Sequence, residues 1–100
     1  MRLLKNHYFI AEQYEKKGKI KKAIQIYWEL VNHNQMGRRP YDRLRILYAK
    51  QKDWNNAVKI CQKFINAVNS GNNQFLHPGY RVTVKKYEDW IRKYEKNNVV

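Results

Sequence analysis

The fold is decided by two similar stretches of sequence, AEQYEKKGKIKKAIQIYWELV at 11–31 and RILYAKQKDWNNAVKICQKFI at 45–65. When Ala23 is aligned with Ala57, the tyrosine and most apolar positions of the two stretches coincide without a gap. The matching positions, such as Ala23 and Ala57, are 34 residues apart in every pair, and we call this constant separation the repeat offset. A period of about 34 residues is typical of a structural repeat in which each copy forms one helix–turn–helix unit. The sequence therefore predicts two helical hairpins in tandem.

The helix boundaries follow from local signals in the sequence. Gly18 is expected to end the first helix, and Pro40 suits the start of the third, where its missing N–H is not needed. Asp53 is placed to cap the fourth helix. Ala23 and Ala57 are small because the two helices of each hairpin are expected to pack most closely there. The expected helices are 3–17, 20–33, 40–51, 54–68 and 80–95, with a polar linker over 69–80.

Each helix is expected to bury one face, because its apolar residues recur at helical spacing. The expected inward residues are Leu3, Leu4, Ile10, Ala11 and Tyr14 in the first helix, with Tyr8 and Phe9 on the same broad face; Ile20, Ala23, Ile24, Tyr27, Leu30 and Val31 in the second; Tyr41, Leu44, Leu47 and Tyr48 in the third; Trp54, Ala57, Val58, Cys61, Phe64, Ile65 and Val68 in the fourth; and Val84, Tyr87, Trp90, Ile91 and Tyr94 in the last. The last helix is expected to cover the second hairpin, because the terminal unit of a repeat array must shield its apolar face.

Residues 4–37 and 38–71 resemble two tetratricopeptide repeats. The resemblance rests on Ile10, Ala11, Tyr14, Gly18, Ala23 and Tyr27 in the first copy and on Tyr41, Leu44, Tyr48, Asp53, Trp54 and Ala57 in the second. The chain departs from the family pattern at His7, Arg45 and Cys61, and the late proline is missing from both copies. Because the spacing and both alanines are kept, the departures indicate divergent copies of the same unit.

The resemblance implies an all-α fold: one tetratricopeptide-like domain over 1–100, an α-solenoid fragment of two antiparallel helical hairpins plus a capping helix at about 80–96. In this family the first helices of the hairpins line a concave groove that commonly holds a peptide or a partner's helix. The implied groove positions are Lys5, Tyr8, Phe9, Glu12, Arg39, Asp42, Arg43, Ile46, Lys50, Arg81, Lys85 and Glu88. This basic surface with apolar spots would suit an acidic or amphipathic segment of another protein.

The net charge points to anionic partners. Lys and Arg number 21 against 8 Asp and Glu, which gives a formal charge of +13. A field of this sign attracts nucleic acid, acidic protein surfaces or anionic membranes and speeds their encounter. A second explanation stays open, because Lys, Asn, Ile and Tyr are all plentiful and a biased genome composition would produce the same surface.

The sequence offers few groups for chemistry. His7, His33 and His77 are isolated from one another and from the single cysteine, Cys61, so no metal site is expected. Cys61 lies in an apolar helical stripe and is expected to act as a small buried hydrophobe. We expect no cofactor and no enzymatic activity. One cysteine and no apolar run of membrane-spanning length predict a cytoplasmic protein without membrane insertion.

Two functions from different classes are therefore compared. The first is a small adaptor that binds a protein segment in the groove. The alternative is nucleic-acid binding through the basic surface, which ranks second because the basic residues are spread over helices and turns and most aromatic residues are expected in the core. Self-association through the terminal helices is compatible with either function.

Overall fold

The computed structural model describes residues 5–98, apart from the side chains of Lys5 and Asn73, and this part of the chain contains helices and no strand. The helices are α1 (Lys5–Lys16), α2 (Ile20–Asn32), α3 (Arg39–Lys50), α4 (Trp54–Asn69) and α5 (Tyr80–Asn98), with a 3-10 turn at Asn73–Phe75. The all-α prediction is confirmed, and each helix lies within a few residues of its predicted span. The expected inward residues Leu3 and Leu4 lie outside the described residues.

Successive helices pack on one another, and α3 is central. It packs on α2 and on α4, and its side chains also reach α1 and α5. The most extensive contact joins α4 to α5. The described molecule is a slab of about 39 × 34 × 16 Å, so most helices keep one face towards solvent.

Because neighbouring helices are joined by short connections and run in opposite directions, alternate connections meet at the same end of the slab. At one end the α2–α3 and α4–α5 connections meet, where Asn72 Nδ2 donates to Asn34 Oδ1 at 2.9 Å. We call this the amide end. At the other end lie the α1–α2 and α3–α4 turns and the last turn of α5, where Asn98 Nδ2 donates to Asn55 Oδ1 at 3.0 Å.

The core contains both alanines that were predicted at the contacts within the hairpins. Ala23 and Ala57 are both fully buried. Most of the other expected inward residues are buried or packed against the core, although Ile60, which was not among them, is also fully buried. The expected cover of the second hairpin is present, because the ring of Tyr87 on α5 stacks on Phe64 of α4 with 4.3 Å between centroids.

The broad apolar face predicted for α1 was wrong at Phe9 and Ile10. Ile10 is 42% exposed and Phe9 is 61% exposed, whereas Leu44, the equivalent of Ile10 in the second hairpin, is fully buried. The two helices differ in their neighbours. α1 packs chiefly on α2, whereas α3 packs on both α2 and α4, so more of the surface of α3 is covered.

The linker over 69–80 was predicted to be polar, and the structure adds a core residue within it, Phe75. Its ring is buried and lies 5.8 Å from that of Tyr41, 5.3 Å from Phe64 and 5.1 Å from Tyr80. A single aromatic in a polar segment has no periodicity, so sequence pattern alone could not assign it to the core. Its burial fixes the long connection against α3 and α4.

The two hairpin turns differ at two equivalent positions. Gly18 has a φ of +77°, and Lys52, its equivalent in the second turn, has a φ of +58° although it is not glycine. At the next position Asp53 caps α4 by accepting a hydrogen bond from the Asn56 N–H at 3.3 Å, whereas Lys19 precedes α2 without a side-chain cap. The predicted cap at Asp53 is confirmed. Each turn thus has one residue suited to its backbone and one lysine that is not.

Candidate functional site

The most suitable surface for a partner follows the line of contact between α3 and α5, which we call the α3–α5 seam. The two helices run side by side, and Arg38 Nη1 donates to Thr83 Oγ1 at 3.3 Å near their first turns. Further along, Arg45 Nη1 donates to the Tyr94 hydroxyl at 3.1 Å. A notch opens near each end of the seam.

The first notch, which we call the tryptophan notch, has a volume of about 310 Å³. It is lined by apolar and aromatic groups with two lysines at its rim: Ile46, Ala49, Trp90 and Tyr94 with Lys50 and Lys93. Both lysines are exposed. An apolar floor with cations at the rim can hold a segment that carries an apolar anchor and carboxylates.

The aromatic wall of this notch is a stack of three rings. Tyr94 stacks on Trp54 with 5.6 Å between centroids and on Trp90 with 5.5 Å. The Arg45 guanidinium lies over Trp90 at 4.4 Å from the ring centroid. Arg45 stands where the tetratricopeptide pattern has a small residue, and this contact shows what the larger side chain does. It fixes Trp90 and Tyr94, and thereby the shape of the notch.

The second notch, which we call the arginine notch, lies where α3 and α5 begin and has a volume of about 630 Å³. Arg38 and Arg39 line it together with Tyr80 and Thr83. Arg38 is engaged by Asp42, with 3.0 Å between Nε and Oδ2. Arg39 is exposed and forms no ion pair within the described part of the chain. It is therefore the cation of this notch that is available to a partner.

Arg43, a predicted partner-binding residue, is engaged inside the protein. Its guanidinium donates to both Glu15 oxygens, at 2.5 and 3.1 Å, and Tyr27 donates to the same carboxylate. The Glu15 side chain is 13% exposed. Burial alone would raise the pKa of Glu15, but the hydrogen bonds from Arg43 and Tyr27 outweigh burial and hold that pKa below its ordinary value. Arg43 thus joins α3 to α1.

Two further predicted groove residues lie on α1 beside this ion pair. The Tyr8 ring packs edge-on against Tyr27 at 5.6 Å, and burial followed by the nearby Glu12 carboxylate raises the pKa of Tyr8. Tyr8 is therefore a neutral side chain that is partly buried against α2. Tyr8 and Glu12 lie away from both notches, so they would contribute only at the margin of a bound segment.

The remaining predicted site residues are not all brought together. Ile46 and Lys50 line the tryptophan notch, and Arg39 lines the arginine notch. Arg81 and Lys85 are exposed on the first turns of α5. The Lys5 side chain lies outside the described residues.

Trp90 and Lys93 were not predicted as site residues, because the apolar spacing of α5 assigned Trp90 wholly to the covering surface of that helix. In the structure Trp90 is half-buried, and the Lys93 ammonium lies 5.0 Å from its ring centroid. A signal was present, since a lysine three positions after a tryptophan lies on the same side of a helix. That spacing marks an aromatic residue close to solvent.

The prediction that Cys61 is a small buried hydrophobe is confirmed. Cys61 is fully buried, and burial raises the pKa of its thiol to about 12. The thiol is therefore protonated at neutral pH and packs as a small apolar group. Within residues 5–98 no cluster of three or more His, Cys, Asp or Glu is placed to hold a metal ion. None of the described helices is long and apolar enough to cross a membrane.

Comparisons of this chain with protein-family models, with curated proteins and with solved structures each find no match. The tetratricopeptide resemblance accordingly rests on the residue pattern and the repeat offset.

Proposed function

We propose that this chain is a tetratricopeptide-like interaction module that binds an acidic or amphipathic segment of a partner protein along the α3–α5 seam. The observation that carries the proposal is the tryptophan notch, where the half-buried Trp90 ring and Ile46 lie beside the exposed ammonium groups of Lys50 and Lys93. Aromatic residues are enriched at the energetic centres of protein interfaces, and rim charges add orientation and association rate.

The dimensions of the seam set the size of the bound segment. Arg39 and Lys50 are the first and last residues of α3, so they are separated by about 16 Å along the helix axis. This distance matches about three turns of a helix or about five residues of extended chain. A ligand with an apolar residue near one end and carboxylates at both ends would engage both notches.

The proposal includes a non-enzymatic role in the cytoplasm. It also includes an arrangement of the hairpins like that of tetratricopeptide solenoids. The support for this arrangement is the constant repeat offset between the hairpins and the matching burial of Ala23 and Ala57.

The partner can be captured at the site itself. A photo-reactive benzoylphenylalanine placed at Lys50 should crosslink a protein in host extract, and the same group at Lys59, exposed on α4, should not. The affinity of the purified partner should then fall more than tenfold for Arg39→Glu combined with Lys50→Glu. Arg43 is left intact, because a glutamate there would face Glu15 and unfold the contact between α1 and α3.

The matched control is Lys59→Glu combined with Lys63→Glu, which changes the net charge equally on the exposed side of α4. We expect its affinity to stay within twofold of the parent. Equal losses in both double variants would show that only the net charge matters, and the proposed site would be abandoned. Crosslinking of nucleic acid instead of protein at Lys50 would have the same consequence.

A further inference from the structure

We propose that this protein has a second binding surface, at the end of the slab opposite the amide end, that holds the sugar–phosphate backbone of nucleic acid. The surface consists of exposed lysines from the α1–α2 turn, the α3–α4 turn and the last part of α5: Lys16, Lys17, Lys19, Lys21, Lys22, Lys52 and Lys96. We call it the lysine end. It adjoins the tryptophan notch, since Lys50 and Asn97 of that notch are close in the chain to Lys52 and Lys96, but none of its seven lysines lines either notch.

The topology, rather than the sequence, brings these lysines together. The two turns are separated by the whole of α2 and α3 in the chain, yet both lie where the first helix of a hairpin ends and the second begins. The last turn of α5 reaches the second of these turns, because Asn98 donates a hydrogen bond to Asn55 at the start of α4. In contrast, the two connections at the amide end, 33–38 and 70–79, contain Asn and Gln, no lysine and one arginine, Arg38, which is paired with Asp42. A purely compositional excess of lysine would be found at both ends alike.

Nearby acidic groups do little to neutralise the lysine end. Glu15 is held by Arg43 and Tyr27, and the Asp53 carboxylate caps α4 by binding the Asn56 N–H. Glu95 is exposed. No lysine of this end takes part in an ion pair among the residues that the structure describes. The local field is therefore strongly positive and open to solvent.

Two of the lysines occupy positions where local physics favours another residue. Lys52 adopts a positive φ that suits glycine, and the equivalent residue of the first hairpin is Gly18. Lys19 stands at the N-cap of α2, where the equivalent residue of the second hairpin is the capping Asp53. Residues that break local rules without a structural gain are expected at functional sites. Here both departures add a positive charge to the same end of the molecule.

The chemistry of the surface selects nucleic acid among the possible polyanions. Lysine is depleted from protein–protein interfaces, which need an apolar centre, whereas it is a regular ligand of backbone phosphates. An anionic membrane surface would call for apolar side chains that insert beside the cations. The large exposed apolar residues of the described chain are Phe9, Ile10, Leu76 and Val82, and none belongs to the lysine end.

The experiment measures binding of a fluorescent 20-nucleotide strand and of a 20-base-pair duplex by anisotropy, at several salt concentrations. The test variant combines Lys17→Gln, Lys19→Gln, Lys21→Gln and Lys52→Gln. The control variant combines Lys59→Gln, Lys63→Gln, Lys85→Gln and Lys86→Gln, which are exposed on α4 and α5 and remove the same charge. Circular dichroism checks that both variants are folded.

We expect the parent to bind both probes, with log K falling steeply as log salt rises. Each phosphate contact contributes a slope of about −0.9 on duplex, so losing four contacts should reduce the slope by roughly 3–4 for the test variant. The control variant should keep most of the parent's slope. Three outcomes would overturn the proposal: no binding of either probe by the parent, equal effects of the two variants, or tighter binding to anionic vesicles than to both oligonucleotides.

Discussion

At the scale of single residues, the contact between Arg43 and Glu15 separates what stabilises this protein from what is free to bind. Arg43 was predicted to attract a partner because family groove positions and net charge both pointed to it. The structure instead pairs it with a carboxylate on α1 that is 13% exposed. An arginine that is bidentate to a partly buried carboxylate is a structural residue, because breaking the pair leaves a charge without a partner.

This pair should make stability depend on pH. The pKa of Glu15 is lowered in the folded protein from its ordinary value of 4.5, so its contribution is complete above that value and is lost as pH falls through the lower, folded pKa. Glu15→Gln should lower the free energy of unfolding by about 1–3 kcal/mol at pH 7. The difference between parent and variant should shrink steadily below about pH 4.5, as followed by urea denaturation at fixed pH values.

A conservative change on the other side of the pair provides the control. Arg43→Lys keeps the charge and loses the bidentate geometry, so its stability should fall between those of the parent and of Glu15→Gln. The prediction would be contradicted if the difference in free energy of unfolding between parent and Glu15→Gln stayed constant from pH 7 to pH 3. Such a result would show that the contact with Arg43 does not lower the pKa of Glu15.

At the scale of elements, the turns of the two hairpins can be compared directly, because equivalent positions carry different residues. Lys19→Asp supplies α2 with the cap that α4 already has and should raise the free energy of unfolding by about 1 kcal/mol. Lys52→Gly removes a non-glycine residue from a positive φ and should add about 0.5–1 kcal/mol. Thermal and urea denaturation measure both effects.

The reciprocal substitutions sharpen this comparison. Asp53→Lys and Gly18→Lys should each lower stability by a similar amount, since each places a lysine where the backbone disfavours it. If Lys19→Asp and Lys52→Gly proved neutral or destabilising, the two lysines would be locally suited to their turns, and their presence would no longer indicate selection for charge at the lysine end.

The covering helix α5 allows a second prediction at this scale. Tyr87 is 2% exposed, stacks on Phe64 and donates its hydroxyl to Asp42. Tyr87→Ala should cost about 3–5 kcal/mol by leaving a cavity against α4, whereas Tyr87→Phe should cost about 1–2 kcal/mol by losing only the hydrogen bond. Urea denaturation gives the energies, and size-exclusion chromatography reports aggregation.

Deleting residues 80–100 extends the same argument. It should expose Phe64 and Ile65, lower the melting temperature and promote aggregation, because a large apolar face becomes accessible. A truncated chain that stayed monomeric with unchanged stability would show that α5 is an appendage rather than the cover of the second hairpin.

At the scale of the whole molecule, the sequence predicted what depends on local periodicity. The main helices, the cap at Asp53 and the burial of Ala23 and Ala57 all follow from patterns within one hairpin, and the repeat offset transfers them to the next. Predictions were weaker where distant segments meet. The burial of Phe75 depends on an aromatic cluster drawn from α3, α4 and α5, and no local pattern contains that information.

The candidate site shows the same limit. Ile46 and Lys50 were predicted from the repeat, but the aromatic half of the tryptophan notch comes from α5, whose placement against α3 no spacing rule gives. The charge was judged to be spread over the molecule because lysines occur throughout the sequence. Alternate connections of a helical array meet at one end, and this topological fact concentrates the lysines of separate turns.

The difference between the two faces of the array determines in which direction it could be lengthened. α5 closes the second hairpin, whereas α1 leaves Ile10 exposed although its equivalent in the second hairpin, Leu44, is fully buried. A hairpin engineered before α1 could therefore cover Phe9 and Ile10. Adding one after α5 would first require that helix to be rebuilt. Extension of this fold by a further hairpin is therefore expected at α1 and not at α5.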